Sequence, residues 1–188
     1  MSSSSIKIVS QVLILFFAFS MKAQTTDSLK LESKKSVSLE SYRQVFWDNL
    51  PKPNNWTNDY ENLFSNEEEM KLNQIITDFE KETTVEIAIV TIDTFKVSKD
   101  KFEDLSLHIA RTWGVGKKEK SNGILIAISK GYQQMRIQNG DGISPIVSDE
   151  ETSEIIQNQI IPYFKKEEYF EGTKDGLLKF IELLRKRL

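Results

Sequence analysis

The sequence predicts an α/β fold in which a small mixed sheet is flanked by helices on both faces. Residues 124–128 are an unbroken aliphatic run, typical of a central strand that is buried on both sides. Residues 133–138 alternate polar and apolar side chains and follow closely, so the two segments should pair as an antiparallel hairpin. A third apolar run, residues 85–92, precedes the central strand with a helical segment between them. This order predicts a right-handed parallel crossover.

The composition allows one compact domain and excludes several kinds of site. The 188 residues carry a formal net charge of -3, with acidic and basic residues interspersed, so the basic surface of a nucleic-acid-binding protein is not expected. The chain has no cysteine, which excludes disulfides, thiolate metal sites and a cysteine nucleophile. The single histidine, His108, excludes the common multi-histidine zinc sites. Any bound metal would therefore be held by oxygen atoms.

The first 23 residues resemble a secretory signal peptide. A polar start with Lys7 leads into an apolar run, residues 12–19, and then to small residues that permit cleavage after Ser20 or Ala23. The run is shorter than the roughly 20 residues that a membrane-spanning helix needs. An uncleaved signal anchor is the alternative. We therefore expect an exported protein, periplasmic or extracellular, with membrane association as a further expectation.

The next segment, residues 24–52, is predicted to be a mostly disordered linker. It is rich in Ser, Lys, Thr and Asn, a composition that cannot bury enough apolar surface to fold by itself. The apolar side chains between Tyr42 and Leu50 interrupt this pattern. We expect them to form a short helical turn that docks on the domain or on a partner.

Capping signals and helical periodicity place the first two helices of the domain. Ser65 and Glu68 form a capping box, in which each side chain accepts from the other residue's backbone N–H, and apolar residues then recur on one helical face. We predict a helix over residues 66–82. A second helix, over residues 99–112, connects the two buried strands.

Two more helices complete the fold. Ser148 and Glu151 provide another capping box, and Pro162 is expected to end or kink the helix that they begin. The last helix is predicted over residues 168–187 and ends in basic residues, which suit the negative end of the helix dipole.

Four short motifs occur in order along the domain: residues 57–60 (TNDY), residues 113–116 (WGVG) leading to 122–126 (NGILI), residues 135–142 (MRIQNGDG) and residues 147–149 (VSD). They resemble motifs of the TPM-domain family, found in exported bacterial proteins and in the chloroplast thylakoid lumen. Each motif alone is weak, whereas their shared order is fairly specific. The resemblance extends over nearly the whole predicted domain, which we place at residues 53–188.

The resemblance implies a three-layer α/β/α sandwich with a four-stranded mixed sheet. It also implies a location outside the cytoplasm or at a membrane surface, divalent-cation binding, and work on the repair or assembly of membrane complexes. Some plant members are associated with acid phosphatase activity. The chain departs from the family at Ser144, where many members carry a glutamate, so one plausible carboxylate ligand is missing.

Four aspartates are the candidate metal ligands, because calcium prefers carboxylate and carbonyl oxygens. Asp59 comes from the TNDY motif, Asp93 follows the first buried strand, and Asp141 and Asp149 follow the arginine-bearing strand. Asp59 and Asp93 should be neighbours at the carboxyl ends of the strands, where open α/β sheets bind ligands. Asp141 should lie at the opposite edge of the sheet, because it follows a strand that runs the other way. The chain from Asp141 to Ser148 is long enough to bring Asp149 back beside Asp59. The preferred ligands are Asp59 and Asp149.

Each of these residues also has a purely structural interpretation. Asp149 is well placed to cap a helix, and Asp59 and Asp93 to accept hydrogen bonds within turns. Asp141 lies in a glycine turn that lacks the remaining ligands of an EF-hand. His108 lies four residues after Asp104 and is expected to form a solvated ion pair with it.

Two functions of different classes follow. The first is a calcium-binding interaction module, expected to be a monomer, that acts at or near a membrane or on a membrane-associated protein complex. The second is a divalent-metal-dependent acid phosphatase. Phosphate-ester hydrolysis requires a nucleophile or a metal cluster that activates water. The sequence shows neither, which favours the binding module.

Overall fold

The computed structural model describes residues 30–188, and residues 46–188 form one compact unit around a four-stranded sheet. The strands, in spatial order, are β1 (Thr57–Asp59), β2 (Glu86–Thr91), β3 (Gly123–Ser129) and β4 (Gln134–Asn139). The first three run parallel to one another, and β4 is antiparallel to β3. The predicted mixed sheet, its central strand and its hairpin are confirmed.

Helices cover both faces of this sheet, as the sequence predicts. They are α2 (Asn66–Thr83), α3 (Phe102–Trp113), α4 (Asp149–Ile155), α5 (Ile161–Phe164) and α6 (Tyr169–Arg185). Buried side chains of α2, α4 and α6 form one core with alternate residues of β2 and β3. Helix α3 forms the second core on the other face. Both β–α–β connections are parallel crossovers, so the α/β/α order is confirmed.

The described chain begins in a helix, α1, over residues 30–48. It lies within residues 24–52, for which composition predicts a mostly disordered linker. The helical part contains no glycine or proline, and its interior backbone N–H and C=O groups bond to one another within the helix. The expected docking is seen within the compact unit, where Phe46, Trp47 and Leu50 pack against the α3 core. The signal-peptide prediction, residues 1–23, lies outside the described residues.

The predicted helix starts are confirmed by their caps. Ser65 accepts a hydrogen bond from the Glu68 N–H (3.3 Å), and the Glu68 carboxylate accepts one from the Ser65 N–H (2.8 Å). Ser148 and Glu151 repeat the arrangement at α4. Pro162 does not end the helix that begins after Ser148. A π turn, Ile156–Ile160, follows α4, so the proline falls in the first turn of α5, where its missing N–H costs no helical bond.

The shortest strand, β1, was not predicted. Its three residues carry no periodicity that a sequence window can detect, and it is a strand because it pairs with β2. The pairing sets Asp59 beside Thr91, and Thr91 beside Ile128 of β3. Asp59 therefore lies at the carboxyl end of the parallel strands.

The two glycine motifs meet in one close backbone contact. Gly116 has φ +100°, and a Cβ there would lie 2.3 Å from the Gly123 nitrogen. A Cβ on Gly123 would lie 1.9 Å from the Val115 carbonyl oxygen. The loop after α3 thus crosses directly over the start of β3, which only glycines at both positions permit.

No helix within residues 30–188 is both long enough and apolar enough to cross a lipid bilayer.

Candidate metal-binding site

Asp59 is held at the carboxyl end of β1 by two hydrogen bonds. Its Oδ1 accepts from the hydroxyl of the fully buried Thr91 (2.5 Å), and its Oδ2 accepts from the Phe64 N–H (2.8 Å). The turn between β1 and α2 is thereby closed on the carboxylate, as the structural interpretation of this residue expects. A carboxylate offers about four acceptor positions. Two of them remain available for a cation.

Asp59 faces a polar depression of about 440 Å³ between β1 and α2. The polar residues that line it are Asp59, Glu69, Thr57, Tyr60 and the asparagines Asn54, Asn55, Asn58, Asn66 and Asn73. The Thr57 hydroxyl is buried and has no hydrogen-bond partner among the described residues. Such an oxygen is normally satisfied by water or an ion.

Glu69 lines the depression from the first turn of α2. Partial burial, together with the negative charge of Asp59, raises the pKa of Glu69 above its ordinary value. The two residues line the same depression, and the charge of Asp59 disfavours ionisation of Glu69. A divalent cation between them would remove this repulsion between like charges, whereas a proton removes it only at low pH.

Glu61 is a third carboxylate at this edge of the sheet. It accepts hydrogen bonds from the backbone N–H groups of Lys130 (2.8 Å) and Gly131 (3.3 Å), which ties the turn after β1 to the β3–β4 turn. Burial raises the pKa of Glu61 against the effect of these bonds, and the charges of Asp93 and Asp59 add to the rise. The structure thus brings Asp59 and Asp93 to one edge, as predicted.

Asp93 is occupied by contacts within its own turn. Its carboxylate accepts from the backbone N–H groups of Phe95 (2.8 Å) and Lys96 (3.2 Å), and it forms an ion pair with the Lys96 ammonium. Lys96 also lies over the rings of Phe46 and Tyr60, at 5.7 and 5.6 Å from their centroids. A metal would have to displace this lysine to use Asp93.

Asp141 and Asp149 lie at the other end of the sheet from Asp59, where β3 begins. Asn139 at the end of β4 pairs with Ile124, near the start of β3, and the Gly140 N–H donates to the Gly123 carbonyl (2.8 Å). The following loop does not extend back across the sheet. It coils through short-range bonds such as Val147 N–H to Ile143 O (3.0 Å).

Helix α4 begins at this same end, because Asn139 donates to the Thr152 hydroxyl (3.2 Å). Asp149 is an exposed residue in the first turn of α4, and the helix is capped by the neighbouring Ser148. The structure therefore does not bring Asp59 and Asp149, the two preferred ligands, into one site. The physical reason is the coiled loop, whose length alone would have allowed the return.

The donor set of the polar depression fits a weakly held hard cation. Calcium uses six to eight oxygens, among which neutral amide, hydroxyl and water oxygens are common. Asp59 and Glu69 supply the charge, and Thr57 and the asparagines are the neutral residues of the lining. The side-chain oxygens of Asn55, Asn58 and Asn73 each already accept one backbone N–H, so Asn54 and Asn66 are the asparagines whose side-chain oxygens accept none of the hydrogen bonds within residues 30–188. Within residues 30–188, no three His, Cys, Asp or Glu side chains are grouped closely enough to hold a metal ion. The charged part of this donor set is therefore a pair.

Glu61 and Glu69 were missed by the sequence analysis. Glu69 had a detectable signal, since Asn66, Glu69 and Asn73 form a polar stripe with helical spacing along α2. Glu61 had none, because its partners are backbone groups far along the chain.

His108 differs from its expected ion pair with Asp104. Its ring stacks on Trp47, with centroids 4.3 Å apart, and a ring nitrogen lies 3.0 Å from the Trp47 carbonyl oxygen. Asp104 instead pairs with Lys101 (3.0 Å). The histidine thus helps to dock the segment before β1 on α3.

Comparison with known proteins gives a family match over most of the compact unit. A family model described as the TPM domain matches residues 57–183. No curated protein matches the chain.

Several solved structures share the fold. The N-terminal domain of a P. gingivalis protein has 30% identity and a TM-score of 0.63, covering 70% of this chain and 82% of its own. Protein BA42 from the psychrophilic bacterium Bizionia argentinensis has 26% identity and a TM-score of 0.59, covering 69% and 86%. The N-terminal domain of cg2496 from Corynebacterium glutamicum, at 16% identity, a TM-score of 0.51 and coverage of 74% and 84%, shows the likeness of fold alone.

Proposed function

The chain belongs to the TPM domain family, and we propose that it is an exported, calcium-binding interaction module that acts at or near a membrane. The observation that supports calcium binding is the polar depression beside β1. Asp59 and Glu69 line it together with neutral polar residues, and the buried Thr57 hydroxyl has no hydrogen-bond partner within residues 30–188. The proposal assigns the metal to Asp59 and Glu69, with Asp93 and Glu61 as neighbouring negative charges.

The donor set predicts a weak site that suits an exported protein. Calcium affinity rises with the number of charged ligands, and extracellular modules bind with a Kd of about 0.1–1 mM. A site with two carboxylates is expected to have an affinity in this weak range. Concentrations of that order are found outside the cytoplasm, so the site would respond to calcium only after export.

Export itself is tested by the mature N-terminus. Mass analysis of protein recovered from the exported fraction should give a chain that begins at Met21 or Gln24, after cleavage at Ser20 or Ala23. Cleavage after Ala23 would remove Lys7 and Lys22 and change the formal net charge from -3 to -5, whereas cleavage after Ser20 would remove Lys7 alone and change it to -4, since no acidic residue is lost in either case. Full-length protein retained in the membrane fraction would instead indicate an uncleaved anchor.

The calcium site is tested by titration monitored by ¹H–¹⁵N NMR. We expect calcium to shift the amides of β1 and of the first two turns of α2. Glu69→Gln should abolish this response and leave the spectrum otherwise native, because Glu69 closes no turn. Asp59→Asn should weaken it and also disturb the turn that Asp59 holds.

Asp141→Asn is the matched control, because it removes an exposed carboxylate from the opposite end of the sheet. It should leave calcium binding unchanged. Shifts that centre on Gly140 to Asp149, or an unchanged response in Glu69→Gln, would contradict the assignment to the polar depression.

A metal-dependent acid phosphatase is the second candidate function. It is favoured by the pairing of a carboxylate held by hydrogen bonds, Asp59, with a glutamate of raised pKa, Glu69. A carboxyl group with a raised pKa is a common general acid in catalytic sites. A chromogenic phosphate ester should then be hydrolysed in the presence of a divalent metal, and Glu69→Gln should lose that activity. Absence of turnover across metals and pH would exclude it.

The proposed partner is a membrane-associated protein complex, as expected from the family resemblance. If calcium controls this interaction, retention of the exported protein by washed membranes should depend on calcium. Glu69→Gln should then be retained equally with calcium and with a chelator.

A further inference from the structure

A second cavity, distinct from the polar depression, lies under α5. It has a volume of about 210 Å³, and its walls include the apolar side chains of Met135, Ile161, Phe164 and Tyr169. Met135 belongs to β4, whereas the polar depression adjoins β1. These are the two edge strands, on opposite sides of the sheet. We call this cavity the α5 pocket. Nothing in the proposed calcium site uses it.

Two lysines also line the α5 pocket. The Lys130 ammonium lies 5.1 Å from the centroid of the Tyr169 ring, and Lys165 is exposed at the end of α5. Among residues 30–188, neither ammonium group is within salt-bridge distance of a carboxylate. The pocket is also lined by Ser129, Gln133 and Gln134, so it combines apolar side chains with neutral polar groups and two lysines that form no salt bridge within that range.

The wall formed by α5 is held firmly in place. Helix α6 approaches α5 and the preceding π turn through two glycines, where a Cβ would lie 2.9 Å from Tyr163 Cβ at Gly172 and 2.3 Å from Ile160 Cγ1 at Gly176. The π turn Ile156–Ile160 changes the helical register just before Ile161 and Phe164. Such turns are frequent at functional sites. The cavity is thus formed by packed secondary structure, as preformed ligand sites are.

We propose that the α5 pocket binds a small organic acid with an apolar body and one carboxylate. A dry apolar cavity of about 150 Å³ holds one benzene molecule, so the present volume suits a ring or a short branched chain with a small polar group. The apolar body contacts Phe164 and Met135, and the carboxylate lies beside Lys130 and Lys165. Charge complementarity selects an acid over a neutral molecule of the same shape.

The test compares phenylacetate with phenylacetamide, which has nearly the same shape and no charge. Each is titrated into the purified protein with a chelator present, and ¹H–¹⁵N NMR follows binding, so the result does not depend on calcium. We expect phenylacetate to shift amides of residues 130–135 and 161–169 with a Kd of about 1 mM or lower. The amide should bind about tenfold more weakly, as expected from losing two partly exposed charge contacts.

Charge-removing variants identify the groups responsible. The double variant Lys130→Met, Lys165→Met removes both charges and keeps an unbranched side chain at each position. It should bind phenylacetate only as tightly as the wild type binds phenylacetamide. Lys166→Met is the matched control, because Lys166 lies over the Tyr163 ring, 6.0 Å from its centroid, and does not line the pocket. It should bind phenylacetate as the wild type does.

Three results would overturn the proposal. They are shifts located away from the pocket, no shift at all with phenylacetate, and equal affinity for the acid and the amide in the wild-type protein. Because calcium is absent throughout, none of these outcomes bears on the polar depression.

Discussion

Thr91 Oγ1 lies 2.5 Å from Asp59 Oδ1 and also accepts a hydrogen bond from the Glu61 N–H (2.8 Å). One buried hydroxyl on β2 thus connects a carboxylate of β1 to the backbone of the turn that follows it. The Phe64 N–H closes the other side of the same carboxylate. Asp59 is therefore held in place before any cation arrives.

Thr91→Val should destabilise the fold and weaken calcium binding together. The substitution keeps the shape but removes both hydrogen bonds, one of them to a carboxylate, and we expect a loss of about 1–3 kcal/mol in the free energy of unfolding. Urea unfolding measures this loss. Thr91→Ser keeps the hydroxyl and should retain most of the stability. Equal stability of the valine and serine variants would show that the hydrogen bonds contribute little.

Glu69→Gln should make the calcium-free protein more stable at neutral pH. The raised pKa of Glu69 means that the folded state binds its proton more tightly than the unfolded chain does. Stability from this group is full below the unfolded pKa of about 4.3 and is lost as pH rises through the folded pKa. The advantage of the glutamine should therefore disappear in acid.

Calcium should make the wild type more stable than Glu69→Gln at neutral pH, because the cation binds the ionised Glu69 and competes with the proton. Thermal melts of both proteins across pH, with calcium and with a chelator, measure the effect. A wild type that is the more stable protein at neutral pH without calcium would contradict the assigned repulsion between Asp59 and Glu69.

The ion pair between Glu151 and Arg187 should be visible as a low carboxyl pKa. Arg187 Nη2 lies 2.6 Å from Glu151 Oε1, and hydrogen bonds from the Arg187 guanidinium, then from the Ser148 N–H, lower the pKa of Glu151 from 4.5 to about 2. Stability from this pair is present above the unfolded pKa and is lost as pH falls through the folded value.

An NMR titration of the Glu151 side chain in Arg187→Met should give a pKa closer to 4.5 than in the wild type. Lys186→Met is the control, since Lys186 pairs with Glu182 instead. It should leave the Glu151 titration unchanged. A Glu151 pKa that is the same with and without Arg187 would mean that the pair is open in solution.

Gly116→Ala should be far more destabilising than Gly114→Ala. Both glycines have positive φ, but a Cβ at position 114 meets no atom within 4 Å, whereas one at 116 would lie 2.3 Å from Gly123 N. We expect about 1 kcal/mol for Gly114→Ala from backbone strain alone. The loss for Gly116→Ala should exceed it clearly in urea unfolding. Similar losses would indicate that the loop moves away from β3 at little cost.

The regular elements could be predicted because their signals are local. The aliphatic run of residues 124–128, the alternation after it and the capping boxes at Ser65 and Ser148 each act over a few residues. Those segments became the strands and helix starts that were expected. Strand β1 could not be found in this way, because three residues become a strand only when β2 pairs with them.

Candidate ligands could be named from sequence, but their arrangement could not be derived. Asp59 and Asp93 lie at the same end of the sheet because Asp59 is the last residue of β1 and Asp93 follows β2, which runs parallel to β1. Asp149 does not join them, because the loop after Asp141 coils on itself. Chain length sets only an upper bound on where a loop can reach.

The sequence by itself determined the fold class, the family and the oxygen-only character of any metal site. Composition, periodicity and ordered motifs are properties of the chain alone. Only the tertiary structure decided which carboxylates share a site. It placed Glu69 and Asp59 in the lining of one depression and kept Asp149 at the other end of the sheet. Contacts between distant residues depend on strand register and on the path of each loop. Neither can be derived from one segment of the chain, because both depend on how several segments pack together.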